Sequence, residues 1–142
     1  RQGQAKVLVD MRTEAGTRQA LGGLYPSTAL YMRCDTVKAH PEIVQKLVTA
    51  FVQTLRWIKE HSPAQIADKM PPQYAGGNKD LYLQSIADSI GMFNGDGLMK
   101  PEGAQNALRI LGTYSKNVAP VKQRIDITAT YTTEFARAAL RD

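Results

Sequence analysis

The sequence predicts a mixed fold, two short β-strands followed by four or five helices, in an α+β-like or partial α/β order. Three observations lead there. "AKVLVDM" (5–11) is a short apolar run rich in β-branched residues, and "STALYMRCD" (27–35) alternates as a second strand would. From residue 41 onward, apolar residues recur at helical spacing behind a series of Pro, Ser and Asn helix starts.

Between the two strands, "RTEAGTRQALGGLYP" carries Gly16, Gly22, Gly23 and Pro26 and reads as a loop, with one helical turn around residues 17–21. Loops at strand ends are where ligand contacts gather. The longest helix opens at Pro41, where the missing N–H costs nothing because it would have had no partner in the first turn. Val44, Leu47, Val48, Phe51, Leu55 and Ile58 then form an apolar stripe over five turns. The stripe assigns Phe51 to the core and places Trp57 at its edge. The helix stops near His61, because Ser62-Pro63-Ala64-Gln65 is a fresh start, with Ser62 as N-cap and Gln65 set to complete a capping box.

Pro71-Pro72 ends that second helix. Asn78 caps another that runs to about Met92, and Pro101 opens a further one over "PEGAQNALRILGTYSK". "NVAPVKQRIDITATY" is irregular, and a short closing helix is capped by Thr132 or Thr133. No repeat of 20–50 residues is visible, which argues against a helical solenoid. A chain of 142 residues fits a single domain over 1–142, one that would bury roughly 68–70% of the surface its unfolded chain exposes.

The net charge of +5 does not form a nucleic-acid footprint. Residues 1–40 and 99–124 hold the basic excess in two separate segments, without a basic helix, an RNP-like aromatic pattern or a zinc-finger spacing. Cys34 is the sole cysteine, so neither an internal disulfide nor a multi-cysteine zinc site can form. Its place at a strand end reads as a buried structural thiol. No stretch approaches the ~20 apolar residues that span a bilayer. The N-terminus has neither a signal-peptide pattern nor an initiator Met, which reads as a point inside a longer gene product. His40 and His61 sit about 30 Å apart at the ends of one helix, without a second ligand nearby, and read as capping or surface residues. "NGDG" (94–97) lacks the spaced carboxylates of a calcium loop, and "GTRQALGGL" matches no phosphate-binding fingerprint. Neither a metal nor a cofactor is expected, and no residue stands out as catalytic.

The order of these pieces is similar to a known family. "GQAKVLVD", a glycine-bearing loop, "YPSTALYMRCDTVKAHPEIVQKLVTAFVQTLRWIKEHSPAQIADKM", "MKPEGAQNALRIL" and "IDITATYTTEFARAAL" together resemble the C-terminal part of periplasmic solute-binding proteins of ABC importers. The branch they resemble is the nitrate/sulfonate/taurine and thiamine-precursor binding group. The resemblance implies an α/β, periplasmic-binding-protein-like (type II) lobe, here the C-terminal portion of a larger two-lobe protein. It also implies a non-enzymatic role: capture of a small anionic or polar solute by hinge closure and its delivery to a membrane permease, in a periplasmic or other extracytoplasmic setting.

Carried over by position, the cleft-facing residues implied are Met11, Arg12 and Thr13 after "VLVD", and Tyr25, Ser27 and Thr28 before the second strand. Arg12 would meet an anionic group through charge-assisted hydrogen bonds, Ser27 and Thr28 would add neutral donors, and Tyr25 a ring wall. The alternative is an enzyme on the same scaffold, of the thiamine-pyrimidine synthesis or desulfinase kind, with Cys34 as its only thiol. A third reading, a helical interaction domain, requires an exposed stripe on residues 44–58.

Overall fold

A computed structural model describes residues 6–141. Among them are seven α-helices, linked by turns and four short 3-10 segments, and no β-strand. The expected α/β, periplasmic-binding-protein-like lobe is therefore overturned: the architecture is all-helical. Residues 6–11 of the first expected strand and 27–33 of the second run without regular structure, while Ala5 lies outside the described residues. The second segment even ends in a helix, since Cys34 and Asp35 open α2 (Cys34–Ala39). The physical reason is that β-branched composition supplies a preference for extended backbone but not a partner for its N–H and C=O groups. Among the described residues the regular structure is all helical and offers no ladder.

The helices follow the punctuation in the sequence. α1 (Glu14–Leu21) is a complete two-turn helix where one turn was expected. Thr13 caps its start, and Gly22 ends it in the left-handed conformation at φ 70°. α3 (Pro41–Glu60) has proline in its first turn. α4 (Pro63–Lys69) begins with the full capping box: Gln65 N–H donates to Ser62 Oγ at 3.3 Å and Ser62 N–H to Gln65 Oε1 at 2.9 Å. Asn78 caps α5 (Lys79–Ser89) by accepting from Leu81 N–H at 2.9 Å, and a 3-10 turn continues to Met92. α6 (Pro101–Tyr114) and α7 (Glu134–Ala139) complete the set.

The chain divides into two compact units. One comprises the described N-terminal residues through Leu30 together with Met99–Thr132. Here α6 is the central element, flanked by the 3-10 segments Ala119–Arg124 and Ile127–Thr130. The other runs from Tyr31 to Leu98 and resumes at Thr133. Its core is α3 against α7, centred on Val52, Ala136 and Ala139, with Val48, Leu98 and Leu140 packed around them. Gln45 Nε2 donates to the Phe135 carbonyl at 3.0 Å and Arg56 donates to the Leu140 carbonyl at 3.1 Å, so polar contacts on α3 also hold α7.

Two core assignments change. Val52, absent from the expected stripe, is 1% exposed, whereas Phe51 is 51% exposed. Helical periodicity defines an apolar band but not which part of it another element covers. Cys34 is exposed, not buried, because its segment starts a surface helix instead of ending a strand.

Candidate functional site

The six residues expected to face a ligand all belong to the first unit. Met11, Arg12 and Thr13 form the turn that enters α1. Thr13 Oγ1 accepts from Gly16 N–H at 3.1 Å, and the Met11 carbonyl accepts from Thr17 Oγ1 at 3.0 Å. The turn lies close against the helix: a Cβ added to Gly16 would stand 2.1 Å from the Asp10 carbonyl oxygen, so only glycine fits there. α1 thus fixes the backbone that presents Arg12.

Arg12 is gripped by Asp10. Its Nε donates to Asp10 Oδ1 at 3.0 Å and its Nη2 to Oδ2 at 2.7 Å, a two-pronged pair, while its backbone N–H donates to Oδ1 at 3.0 Å. The Arg12 side chain, and then the Arg12 backbone N–H, lower the Asp10 carboxyl to a pKa of about 2. Asp10 is the neighbour of these candidate residues that the sequence analysis does not single out. Its signal was present in the spacing Asp-x-Arg, where a carboxylate two residues before a guanidinium in a turn can take both its side chain and its backbone N–H.

Tyr25 is half-buried, and Ser27 and Thr28 are exposed, on the extended stretch that follows α1. This stretch is pinned on α6 by Asn106, a 7%-exposed amide whose Nδ2 donates to the carbonyls of Leu21 at 3.2 Å and Leu24 at 3.0 Å. Arg109 donates to Asn106 Oδ1 at 2.7 Å and also to the Leu21 carbonyl. Close packing completes the anchor: a Cβ on Gly23 would meet Asn106 at 3.2 Å, and one on Gly103 would meet the Pro26 ring at 3.1 Å. Arg18 bridges α1 to α6 by donating to Glu102, and its Nε also donates to Glu14 Oε1 at 2.9 Å. Arg18 is also the leading cause that holds the Glu102 carboxyl below its ordinary range. The structure thus secures α1 and the stretch from Leu21 to Pro26 on α6.

The second unit holds an open hollow of about 430 Å³ lined by Trp57, His61, Gln65, Asp68 and Lys69. Trp57 and His61 stack with ring centroids 4.1 Å apart, and His61 Nδ1 donates to the Trp57 carbonyl at 2.7 Å. His61 thereby ties off the last turn of α3, the capping role its position suggested. Among the described residues, no group of three or more His, Cys, Asp or Glu side chains could hold a metal ion, and no helix is long and apolar enough to cross a membrane.

No family model and no curated protein matches the chain. It is similar to a solved structure of a protein from Bordetella bronchiseptica RB50, with a TM-score of 0.90 and 29% sequence identity, over 96% of this chain and 42% of that one. The fold is therefore shared across nearly the whole chain, and the chain spans less than half the length of the protein it matches. That protein's name states no ligand and no reaction.

Proposed function

We propose that the chain is part of a solute-binding component of an ABC importer, which captures a small anionic or polar solute for a membrane permease in an extracytoplasmic compartment. The proposal concerns the ligand-capture role and not the lobe architecture, which the helical fold replaces. It is supported by the ordered motifs that resemble the nitrate/sulfonate/taurine group. The single observation that carries it is the exposed, two-pronged Asp10–Arg12 pair at the entrance to α1.

That pair also narrows the solute. A simple anion such as nitrate would meet the Asp10 carboxylate beside Arg12, which opposes it. A zwitterion satisfies both signs: its sulfonate or carboxylate takes hydrogen bonds from the guanidinium, and its ammonium pairs with Asp10. Ser27, Thr28 and Tyr25 then supply neutral donors and an apolar wall. A taurine-like solute fits this chemistry better than a nitrate or a pyrimidine.

The test is thermal unfolding of the natural full-length protein with taurine, a simple alkyl sulfonate, nitrate and a pyrimidine. Taurine-like compounds are expected to raise the melting temperature, since a ligand at 100 times its Kd adds about 2.7 kcal/mol. Arg12→Ala is expected to weaken that binding by about 10- to 100-fold, the worth of hydrogen bonds to a charged group. Absence of stabilisation by all four compounds overturns the proposal.

A further inference from the structure

The apolar band on α3 is wider than the surface that covers it. At 100° per residue, Ile43, Leu47 and Phe51 form one stripe and Val44, Val48 and Val52 the adjoining one. Val48 and Val52 pack in the cluster with α7, and Val44 is buried. Ile43, Leu47 and Phe51 remain exposed, with Ile43 at 57%. The other unit carries a bare apolar patch of its own, Val7, Leu8 and Val9, where Leu8 is 86% exposed.

These are not isolated surface hydrophobics, because the total area is also too large. The chain exposes 10763 Å². One compact domain of its mass would expose about 7,200 Å², and even two separate compact units of half that mass about 8,700 Å². An excess of about 2,000 Å² therefore remains however the units are arranged. The chain also matches 42% of the Bordetella protein at a TM-score of 0.90, so more than half of that protein's length lies outside this fold.

We infer that the Ile43/Leu47/Phe51 stripe and the Val7/Leu8/Val9 patch are internal interfaces, covered by further polypeptide of the same, longer protein. A second copy of this chain fits less well. A dimer of standard size covers about 800 Å² per partner, less than half of the excess. The inference is independent of the ligand proposed above, because it rests on area, apolar exposure and length.

The experiment uses the natural full-length protein with Cys34→Ser, which silences the exposed native thiol, and with any cysteine elsewhere in the longer protein replaced by serine as well. A single thiol is placed by Phe51→Cys or, on the opposite face of α3, by Gln53→Cys, and its rate of reaction with a maleimide is measured. The thiol at 51 is expected to react at least about 100-fold more slowly than that at 53, at every protein concentration, as for a site that reacts only after local opening. Equal rates overturn the inference. Protection that develops only as protein concentration rises assigns the stripe to a second copy and overturns it as well. Hydroxyl-radical oxidation of the protein without substitutions provides the second measurement, each residue normalised to its rate in urea. Leu8 and Phe51 are expected to be protected as strongly as Val52, and oxidation of either at the rate of an exposed residue counts against the covered interface.

Discussion

Asp10 and Arg12 show how much a single pair of residues can set. The folded-state pKa of Asp10, about 2, lies below the roughly 3.9 of an unfolded aspartate. The pair's contribution to stability is therefore fully present above pH ~4 and is lost as the pH falls through about 2. Arg12→Ala is expected to return the Asp10 midpoint toward the ordinary aspartate range in a carboxyl-carbon NMR titration. Asp126, whose carboxyl is held low by Thr128, serves as the internal control and should not move. An unmoved Asp10 midpoint would assign its low pKa to something other than Arg12. At this scale the sequence was a partial guide. Arg12 was legible as a charged loop residue, but its carboxylate partner was not sought two positions away. Phe51 and Val52 exchanged roles because neighbouring residues on a wide apolar band differ only in what packs on them, which the helix's own spacing does not encode.

Most helical elements were readable because their starts are chemical and local. Pro41, Ser62, Asn78 and Pro101 each stand where a helix begins, since a missing N–H or an oxygen acceptor solves the problem of unpaired first-turn donors without reference to the rest of the fold. Ser62→Ala removes one bond of the capping box and is expected to cost about 1 kcal/mol, read as a lowered urea midpoint at unchanged slope. A change below the precision of that measurement would mean that Pro63 alone sets the start of α4. The two expected strands failed for the complementary reason. A strand is completed by a partner, and the composition of residues 6–11 and 27–33 carries no information on whether one is present. α1 was underestimated because Gly16, Gly22, Gly23 and Pro26 read together as a loop, whereas Thr13 caps the helix by accepting from Gly16 N–H and Gly22 only ends it.

For the molecule as a whole, the surface is the most informative number. Against an unfolded surface of about 22,600 Å², the chain buries about 52%, well short of the 68–70% expected for its length. The urea m-value, which scales with the area exposed on unfolding, should accordingly lie roughly a quarter below that of a compact domain of 142 residues when this chain is studied by itself. A full-sized m-value would show that the isolated chain closes over its apolar patches. This shortfall could not be read from composition, because the proportion of apolar residues is ordinary and only their arrangement leaves them bare. One arrangement serves the experimenter directly. The chain has a single tryptophan, and that indole lies on the His61 imidazole at the junction of α3 and α4. Its emission reports on that corner alone. Any event that parts the two rings, whether loosening of the helix end or filling of the adjacent hollow, can be followed by intrinsic fluorescence, in real time and without attaching a dye.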